Sequence, residues 1–125
     1  MRKILVVDDQ LDSARLLTTL LQLDGYDAEW LDGNWEDLPE EVEARKPDLV
    51  ILDVRLRGVS GLELLRQIRA HTDPSTARVP VLLASALDHR YEGEKAGANN
   101  FVLKPYTRHT LMEAIKHIEA QAIST

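Results

Sequence analysis

Five residues that could carry out chemistry follow short apolar runs in the sequence. Asp8 and Asp9 follow the first run, and Asp53 follows another. Ser85 and Lys104 follow two more. Taken singly, each residue fits a turn, a helix cap or a surface position. Taken together, three carboxylates, a hydroxyl and an ammonium group would suit a divalent cation and a phosphoryl group.

The carboxylates predict a metal site. Carboxylates crowded together resist simultaneous ionisation unless a positive charge compensates them. Mg²⁺ is the expected ion, because it binds through one or two carboxylates, several waters and a phosphate oxygen. The chain has no cysteine, and no histidine stands next to Asp8, Asp9 or Asp53. Zinc is therefore disfavoured, since it prefers thiolate and imidazole ligands.

Phosphoryl transfer is the reaction that this set of side chains favours. An aspartate carboxylate can act as a nucleophile and carry an acyl phosphate. Phosphoryl transfer depends on positioning and on neutralisation of charge more than on covalent assistance. The metal and Lys104 would supply positive charge, and Ser85 would donate a hydrogen bond to a phosphoryl oxygen. A carboxylate is already ionised at neutral pH, so no general base is needed.

The apolar runs are predicted to be strands, and helical periodicity fills the gaps between them. Apolar runs of this length fit a parallel sheet that is covered on both faces. The predicted strands are 4–7, 28–31 (the weakest), 49–52, 81–84 and 101–103. Alternation of strands and helices predicts an α/β, flavodoxin-like (βα)5 fold, with a doubly wound parallel sheet of order 2-1-3-4-5. Ligands of such folds bind at the carboxyl ends of the strands, where these five residues would meet.

Sequence signals also predict where helices begin. Asp12 or Ser13 is the expected N-cap of the first helix. Ser60 and Glu63 form the pattern of a capping box at the start of a helix. The buried side chains of that helix are predicted to be Leu62, Leu65 and Ile68. A later helix, over 88–96, has a weak apolar face and contains Gly93, which lowers helix propensity.

Composition and missing motifs exclude several classes of function. With 21 acidic and 15 basic residues the formal net charge is −6, and no basic patch is visible, so direct binding of nucleic acid is not expected. The amino-terminal apolar run is too short for a signal peptide or a membrane span, and the absence of cysteine fits a reducing compartment. We expect a soluble, cytoplasmic protein with no membrane partner. Asp8 and Asp9 occupy the place where a nucleotide-binding or flavin-binding fold has a glycine-rich phosphate loop.

The motifs resemble the receiver domain of bacterial two-component response regulators. The matching positions are VVDD at 6–9, Leu52 with Asp53, Gly61, Ser85, and Lys104 with Pro105. The resemblance extends over essentially the whole chain, and it implies a single receiver domain over 1–125. No effector domain fits in this length, so a stand-alone regulator, a relay intermediate and a piece of a larger protein all stay open.

The resemblance implies a role for each site residue. Asp53 is the phosphoacceptor, and a histidine kinase or phosphotransfer protein is the donor. Asp8, Asp9 and Asp53 hold Mg²⁺ together with the backbone carbonyl of Arg55. Ser85 and Lys104 contact the phosphoryl group. The domain is a signalling module with self-catalysed phosphorylation and dephosphorylation, and is not classed as an enzyme.

The resemblance also implies a conformational switch. Ser85 and Phe101 are the switch residues, and the Lys104–Pro105 peptide bond is cis. The fourth helix, the fifth strand and the last helix form the surface that controls a downstream protein or effector domain, and its candidate contacts are Tyr91, Phe101, Tyr106 and Arg108. A phosphorylation-dependent homodimer is expected on the same grounds. The moving part is predicted to be the segment 85–100.

Three positions depart from the family pattern. Arg57 stands where proline is usual, so that the loop after the third strand loses a fixed φ angle. Arg55 is large and cationic, and Leu87 is apolar where many relatives have a polar residue. These side chains are expected to control the access of water and hence the lifetime of the phosphate. The hypothesis for Arg55 is that it reaches the phosphoryl group or an acidic neighbour.

Three alternatives are weaker. A phosphorylation-independent interaction module would have no need of the full set of Asp8, Asp9, Asp53, Ser85 and Lys104. An electron carrier of the same fold would need the missing phosphate loop. A metal-dependent phosphohydrolase would need a substrate-selecting cap domain, for which the chain is too short.

Overall fold

The predicted strands form a five-stranded parallel sheet in a computed structural model of the chain, which describes residues 2–123 and the side chains of residues 2–121. The strands are β1 (Lys3–Val7), β2 (Asp27–Trp30), β3 (Leu49–Asp53), β4 (Val81–Ser85) and β5 (Asn100–Leu103). Their order is β2-β1-β3-β4-β5, and every neighbouring pair is parallel. The predicted order 2-1-3-4-5 is confirmed.

Five main helices connect and follow the strands. They are α1 (Leu11–Leu23), α2 (Leu38–Arg45), α3 (Gly61–Arg69), α4 (Arg90–Ala96) and α5 (Arg108–Ile123). Smaller elements that were not predicted are a 3-10 turn (Trp35–Asp37), a one-turn helix (Pro74–Ala77) and a short antiparallel hairpin of Arg55–Leu56 with Val59–Ser60. The alternation of strands and helices is the predicted flavodoxin-like (βα)5 fold. No helix within residues 2–123 has both the length and the apolar character to cross a membrane.

The core has two halves, one on each face of the sheet. Neighbouring residues of a strand point to opposite faces, so that Ile4 packs with α1 and α5, whereas Leu5 packs with α2, α3 and α4. Both side chains are essentially inaccessible to solvent. Burial on both faces explains why the strands read as continuous apolar runs in the sequence.

Two predictions about helices were wrong. The first helix begins at Leu11, with Gln10 and not Asp12 or Ser13 at its N-cap position. The reason is a tight turn in which the Asp8 carboxylate accepts the N–H of Gln10, at 2.9 Å, so that the chain enters the helix at once. In α3 Leu64 is fully buried although it was not predicted to be, and Leu62 is only partly buried. Leu65 and Ile68 are buried as predicted.

Ser60 lies at the N-cap position of α3, as predicted, but its side chain makes no capping hydrogen bond. The start of α3 is fixed instead by Gly61, whose N–H donates to the carbonyl of Val54 at 2.7 Å. A Cβ atom on Gly61 would lie 2.1 Å from the carbonyl oxygen of Asp53. Only glycine therefore allows α3 to begin this close to the end of β3.

Candidate functional site

The five residues singled out from the sequence lie at one edge of the sheet. Asp53 and Ser85 are the last residues of β3 and β4, whereas Asp8 and Lys104 directly follow β1 and β5. The parallel register pairs Asp53 with Ala84 and Ser85 with Leu103, which brings the strand ends level. The geometry therefore places all of these side chains around a common space.

The three aspartates form a compact acidic cluster. One carboxylate oxygen from each of Asp8, Asp9 and Asp53 lies within 4.8 Å of the other two. Asp8 and Asp53 are buried, with 5% and 8% of their surface exposed, and Asp9 is half-buried. Asp53 Oδ1 accepts the backbone N–H of Arg55 at 3.1 Å. This fixed arrangement of hard oxygen donors fits a divalent cation.

Lys104 contacts two of the three acids. Its Nζ donates to Asp53 Oδ2 at 2.7 Å and to Asp8 Oδ2 at 3.1 Å. Burial raises the pKa of the Asp53 carboxyl, because the hydrogen bond and charge of Lys104 offset desolvation only in part. Burial by itself would lower the pKa of the Lys104 ammonium, but the hydrogen bond and charge of Asp53, with those of Asp8, raise it. Lys104 is therefore held in its charged form.

Ser85 is buried beside the acids, and its contacts leave a hydroxyl proton available. Its Oγ accepts the N–H of Leu87 at 3.2 Å, and its carbonyl accepts the N–H of Lys104 at 2.8 Å. A hydroxyl that accepts one hydrogen bond can still donate its own proton. A cavity of about 320 Å³ opens here, and its lining includes Asp9, Asp53, Arg55, Ser85, Leu87 and Lys104.

Arg55 and Leu87 lie at the rim of this cavity, and both are exposed. Within residues 2–123, the structure gives the Arg55 guanidinium no carboxylate partner within 4.0 Å. The Arg55 side chain therefore does not contact an acidic neighbour in this structure. The phosphoryl group is the other target that the hypothesis names. Arg57, at the position where proline is usual, is exposed in the hairpin turn.

Of the two predicted switch residues, Ser85 lines this cavity, whereas Phe101 lines a different one. Phe101 is buried, with 7% of its surface exposed, and the guanidinium carbon of Arg90 lies 5.4 Å from the centre of its ring. That distance is within the range of a cation–π interaction. The Lys104–Pro105 peptide bond is cis, as the resemblance implies.

Two side chains that fix backbone segments were missed from the sequence. Trp30, at the site, donates its indole N–H to the backbone carbonyl of Asp8, and Arg69 donates to the backbone carbonyls of Gly97, after α4, and Val79, before β4. For Trp30 a signal was present, because the order 2-1-3-4-5 places the end of β2 beside the end of β1. For Arg69 none was, since its partners depend on how α3 packs.

Comparison with known proteins agrees with this architecture. The CpxR homolog of Haemophilus influenzae, a transcriptional regulatory protein, is 35% identical in an alignment that covers 99% of this chain and 53% of that protein. The phosphate regulon transcriptional regulatory protein PhoB of Pseudomonas aeruginosa is 29% identical over 94% of this chain and 51% of that protein. The chain thus spans about half the length of these curated relatives.

A solved structure shows the same fold. The chemotaxis protein CheY4 of Vibrio cholerae superposes with a TM-score of 0.83 and 24% identity, over 94% of this chain and 98% of that one. The family model described as "Response regulator receiver domain" matches residues 4–116, which include the whole acidic cluster, Ser85 and Lys104. The chain therefore belongs to the response regulator receiver domain family.

Proposed function

We propose that the chain is a phosphoacceptor signalling domain in which Asp53 takes a phosphoryl group from a histidine kinase or a phosphotransfer protein. The observation that carries the proposal is the Lys104 ammonium, bonded to Asp53 and Asp8 in the wall of an open cavity. A carboxylate oxygen of Asp53 attacks phosphorus as the bond from phosphorus to the donor histidine nitrogen breaks. The leaving imidazole keeps the electron pair.

Each neighbouring group has a role in this reaction. The Lys104 ammonium neutralises charge on the phosphoryl oxygens, and the Ser85 hydroxyl donates to one of them. Asp8, Asp9 and Asp53, with the backbone carbonyl of Arg55, are the residues that would hold Mg²⁺. When bound, that ion supplies positive charge for phosphoryl transfer. The result is a self-catalysed signalling domain and not a dedicated enzyme.

The phosphoryl group would act through Ser85 and Phe101. Charge-assisted hydrogen bonds are each worth roughly 1.5–3 kcal/mol, and inverting a two-state population from 1:99 to 99:1 takes roughly 5.5 kcal/mol. Two or three contacts formed only in the active state would suffice. Movement of Ser85 towards the phosphate would shift the loop before α4, and with it Arg90 and the Phe101 ring.

The output surface in this proposal is formed by α4, β5 and α5. A groove of about 440 Å³ lies on this surface and includes Arg90, Glu94 and Phe101. We propose that a downstream protein or effector domain, or a second phosphorylated copy, binds there. Tyr91, the aromatic residue of α4, has 66% of its surface exposed. The unit that carries these functions is residues 1–125, acting as a single receiver domain in the cytoplasm.

The test is the mass of the intact protein after incubation with acetyl phosphate or phosphoramidate, with and without Mg²⁺. We expect a metal-dependent gain of one phosphoryl group, which Asp53→Asn abolishes. Asp48→Asn is the matched control, because Asp48 precedes the same strand at its opposite end. No gain under any condition would refute the proposal and favour a phosphorylation-independent interaction module.

A further inference from the structure

Trp30 makes an unusual contact with the loop that carries two of the acids. It is the last residue of β2 and half-buried, and its ring packs against the core between the sheet and α1. Its indole Nε1 donates to the backbone carbonyl oxygen of Asp8 at 2.9 Å. The two residues are 22 positions apart in the sequence. A side chain from β2, the strand at the end of the strand order, thus fixes a peptide group of the β1–α1 loop.

That loop contains only residues 8–10 between β1 and α1. Its two carboxylates lie within 4.8 Å of a third, on Asp53, so that mutual repulsion favours moving the loop away from the cluster. The carbonyl of Asp8 is part of the same short loop. A hydrogen bond to that carbonyl therefore opposes the repulsion.

The indole differs from the other donor groups that hold Asp8. Lys104 occupies Asp8 Oδ2, and the N–H of Gln10 occupies Oδ1. Trp30 binds the backbone and leaves both carboxylate oxygens alone. The indole N–H is also neutral, so it does not repel an approaching cation.

We propose that Trp30 is a positioning residue, which holds the loop of Asp8 and Asp9 in the arrangement that receives a divalent cation. The inference rests on the metal site of the proposed function. Without the indole N–H, the loop would populate other arrangements, and the cation would have to order it on binding. Because affinity falls in proportion to the population of the competent arrangement, the loss is visible in the dissociation constant.

The chain provides a matched control. Trp35 also donates its indole N–H to a backbone carbonyl, that of Leu31, at 3.3 Å. Trp30→Phe and Trp35→Phe thus each keep an aromatic ring and remove one indole hydrogen bond. Only the first of these bonds reaches the acidic loop. The sequence has no other tryptophan, so each variant contains a single indole.

The experiment is calorimetric titration of Mg²⁺ into the wild type and both variants, with unfolding by urea measured in parallel. We expect Trp30→Phe to raise the dissociation constant about three- to tenfold, the range given by one hydrogen bond, and Trp35→Phe to change it less than twofold. In the Trp35→Phe protein, the NMR signal of the remaining Trp30 indole N–H should shift on addition of Mg²⁺. In the Trp30→Phe protein, the Trp35 signal should not.

The outcomes separate the inference from the function beneath it. A wild type that binds no Mg²⁺ would overturn both. Binding by the wild type, with an unchanged dissociation constant in Trp30→Phe, would overturn the role of Trp30 and leave the metal site standing. If Trp30→Phe fails to fold, the Trp35→Phe protein still tests the inference. An NMR signal of its Trp30 indole N–H that does not shift on addition of Mg²⁺ would overturn the inference.

Discussion

Lys104 is bonded to two of the three carboxylates of the acidic cluster. One ammonium group cannot neutralise three carboxylates. The pKa of Asp53 is accordingly raised, because the effect of desolvation is larger than that of the hydrogen bond and charge of Lys104. A buried carboxylate that loses its cationic partner is costly, because its charge is then compensated neither by water nor by protein. Lys104 thus stabilises the metal-free protein by neutralising part of the charge that a bound cation would also neutralise.

Lys104→Met should therefore lower the free energy of unfolding in EDTA by about 1–3 kcal/mol, a range discounted for the partial exposure of the lysine. Saturating Mg²⁺ should narrow this difference, because the cation neutralises the same carboxylates and meets no competing ammonium group. Urea unfolding in EDTA and in MgCl₂ measures both values. Lys95→Met is the control, since that ammonium lies over the Tyr91 ring on the surface. An equal loss with and without Mg²⁺ would contradict the argument.

Arg55 is the exposed cation at the cavity rim, and it has a different expected effect. If it reaches the phosphoryl group, Arg55→Ala should change the rate of dephosphorylation of Asp53 several-fold, because a charge near the phosphate alters the access and orientation of water. Arg57→Ala, two residues further along the hairpin, is the matched control. The measurement is the decay of the phosphorylated mass with time. An unchanged rate in Arg55→Ala would reject a role for this side chain.

At the scale of elements, α4 is anchored at one end. The guanidinium of Arg69, in α3, donates to the carbonyls of Gly97, Ala77 and Val79 at 2.7–2.9 Å, and to Asn99 Oδ1 at 3.0 Å. Gly97 directly follows α4, so that its carboxyl end is tied to α3 and to the turn before β4. Burial lowers the pKa of Arg69. An anchored carboxyl end leaves the amino end of α4, next to the loop after Ser85, as the part suited to move.

Replacement of this arginine should loosen α4. Arg69→Met removes four hydrogen bonds and leaves backbone carbonyls without a donor, with an expected loss of about 2–4 kcal/mol in the free energy of unfolding. Arg66→Met, one turn earlier on the same helix, removes only an exposed ion pair with Glu63 and should cost less than about 0.5 kcal/mol. Hydrogen exchange should increase over 90–98 in the first variant alone. Similar losses in both variants would rule out the anchoring role.

The accuracy of the sequence-based predictions also varies by element. The four strong strands were predictable, because burial on both faces requires continuous apolar runs in the sequence. Their order was predictable from the usual arrangement of (βα)5 sheets. The start of α1 was missed because the turn made by the Asp8 side chain begins the helix before a capping residue is needed. The burial of Leu64 in place of Leu62 depends on the rotation of α3, which the close approach of Gly61 to Asp53 fixes. Such contacts between distant segments leave no periodic signal.

At the scale of the site, strand-end positions were predictable from topology, whereas the roles of the residues stay predictions that phosphorylation must test. The contact of Trp30 with Asp8 shows the limit. Topology places the end of β2 beside that of β1, yet the direction of an indole N–H depends on packing. The contacts of Arg69 were beyond prediction, because three of its four acceptors are backbone carbonyls, which every residue has.

At the scale of the whole molecule, a second set of hydrogen bonds lies at the edge of the sheet opposite to the acidic cluster. Asp48 precedes β3, and its Oδ2 accepts the N–H groups of Arg2 and Lys3 at 3.0 and 2.9 Å. This contact holds the beginning of β1, a central strand whose other end carries Asp8. These two hydrogen bonds lower the pKa of Asp48 below its ordinary value of 3.8.

The sign of the resulting pH dependence follows from linkage. A carboxyl with a lowered pKa in the folded state contributes stability that is present above its unfolded pKa and is lost as the pH falls through the folded pKa. Asp48→Asn keeps an oxygen acceptor but removes the titration. It should therefore make the free energy of unfolding depend less on pH below about 3.8, as followed by urea unfolding in EDTA over a series of acidic buffers.

Asp53→Asn is the contrasting variant, because the pKa of Asp53 is raised and its titration acts above 3.8 with the opposite sign. In that pH window, Asp53→Asn should therefore make the free energy of unfolding fall more steeply as the pH falls. An equal change in the pH dependence of both variants would contradict the opposite pKa shifts of Asp48 and Asp53.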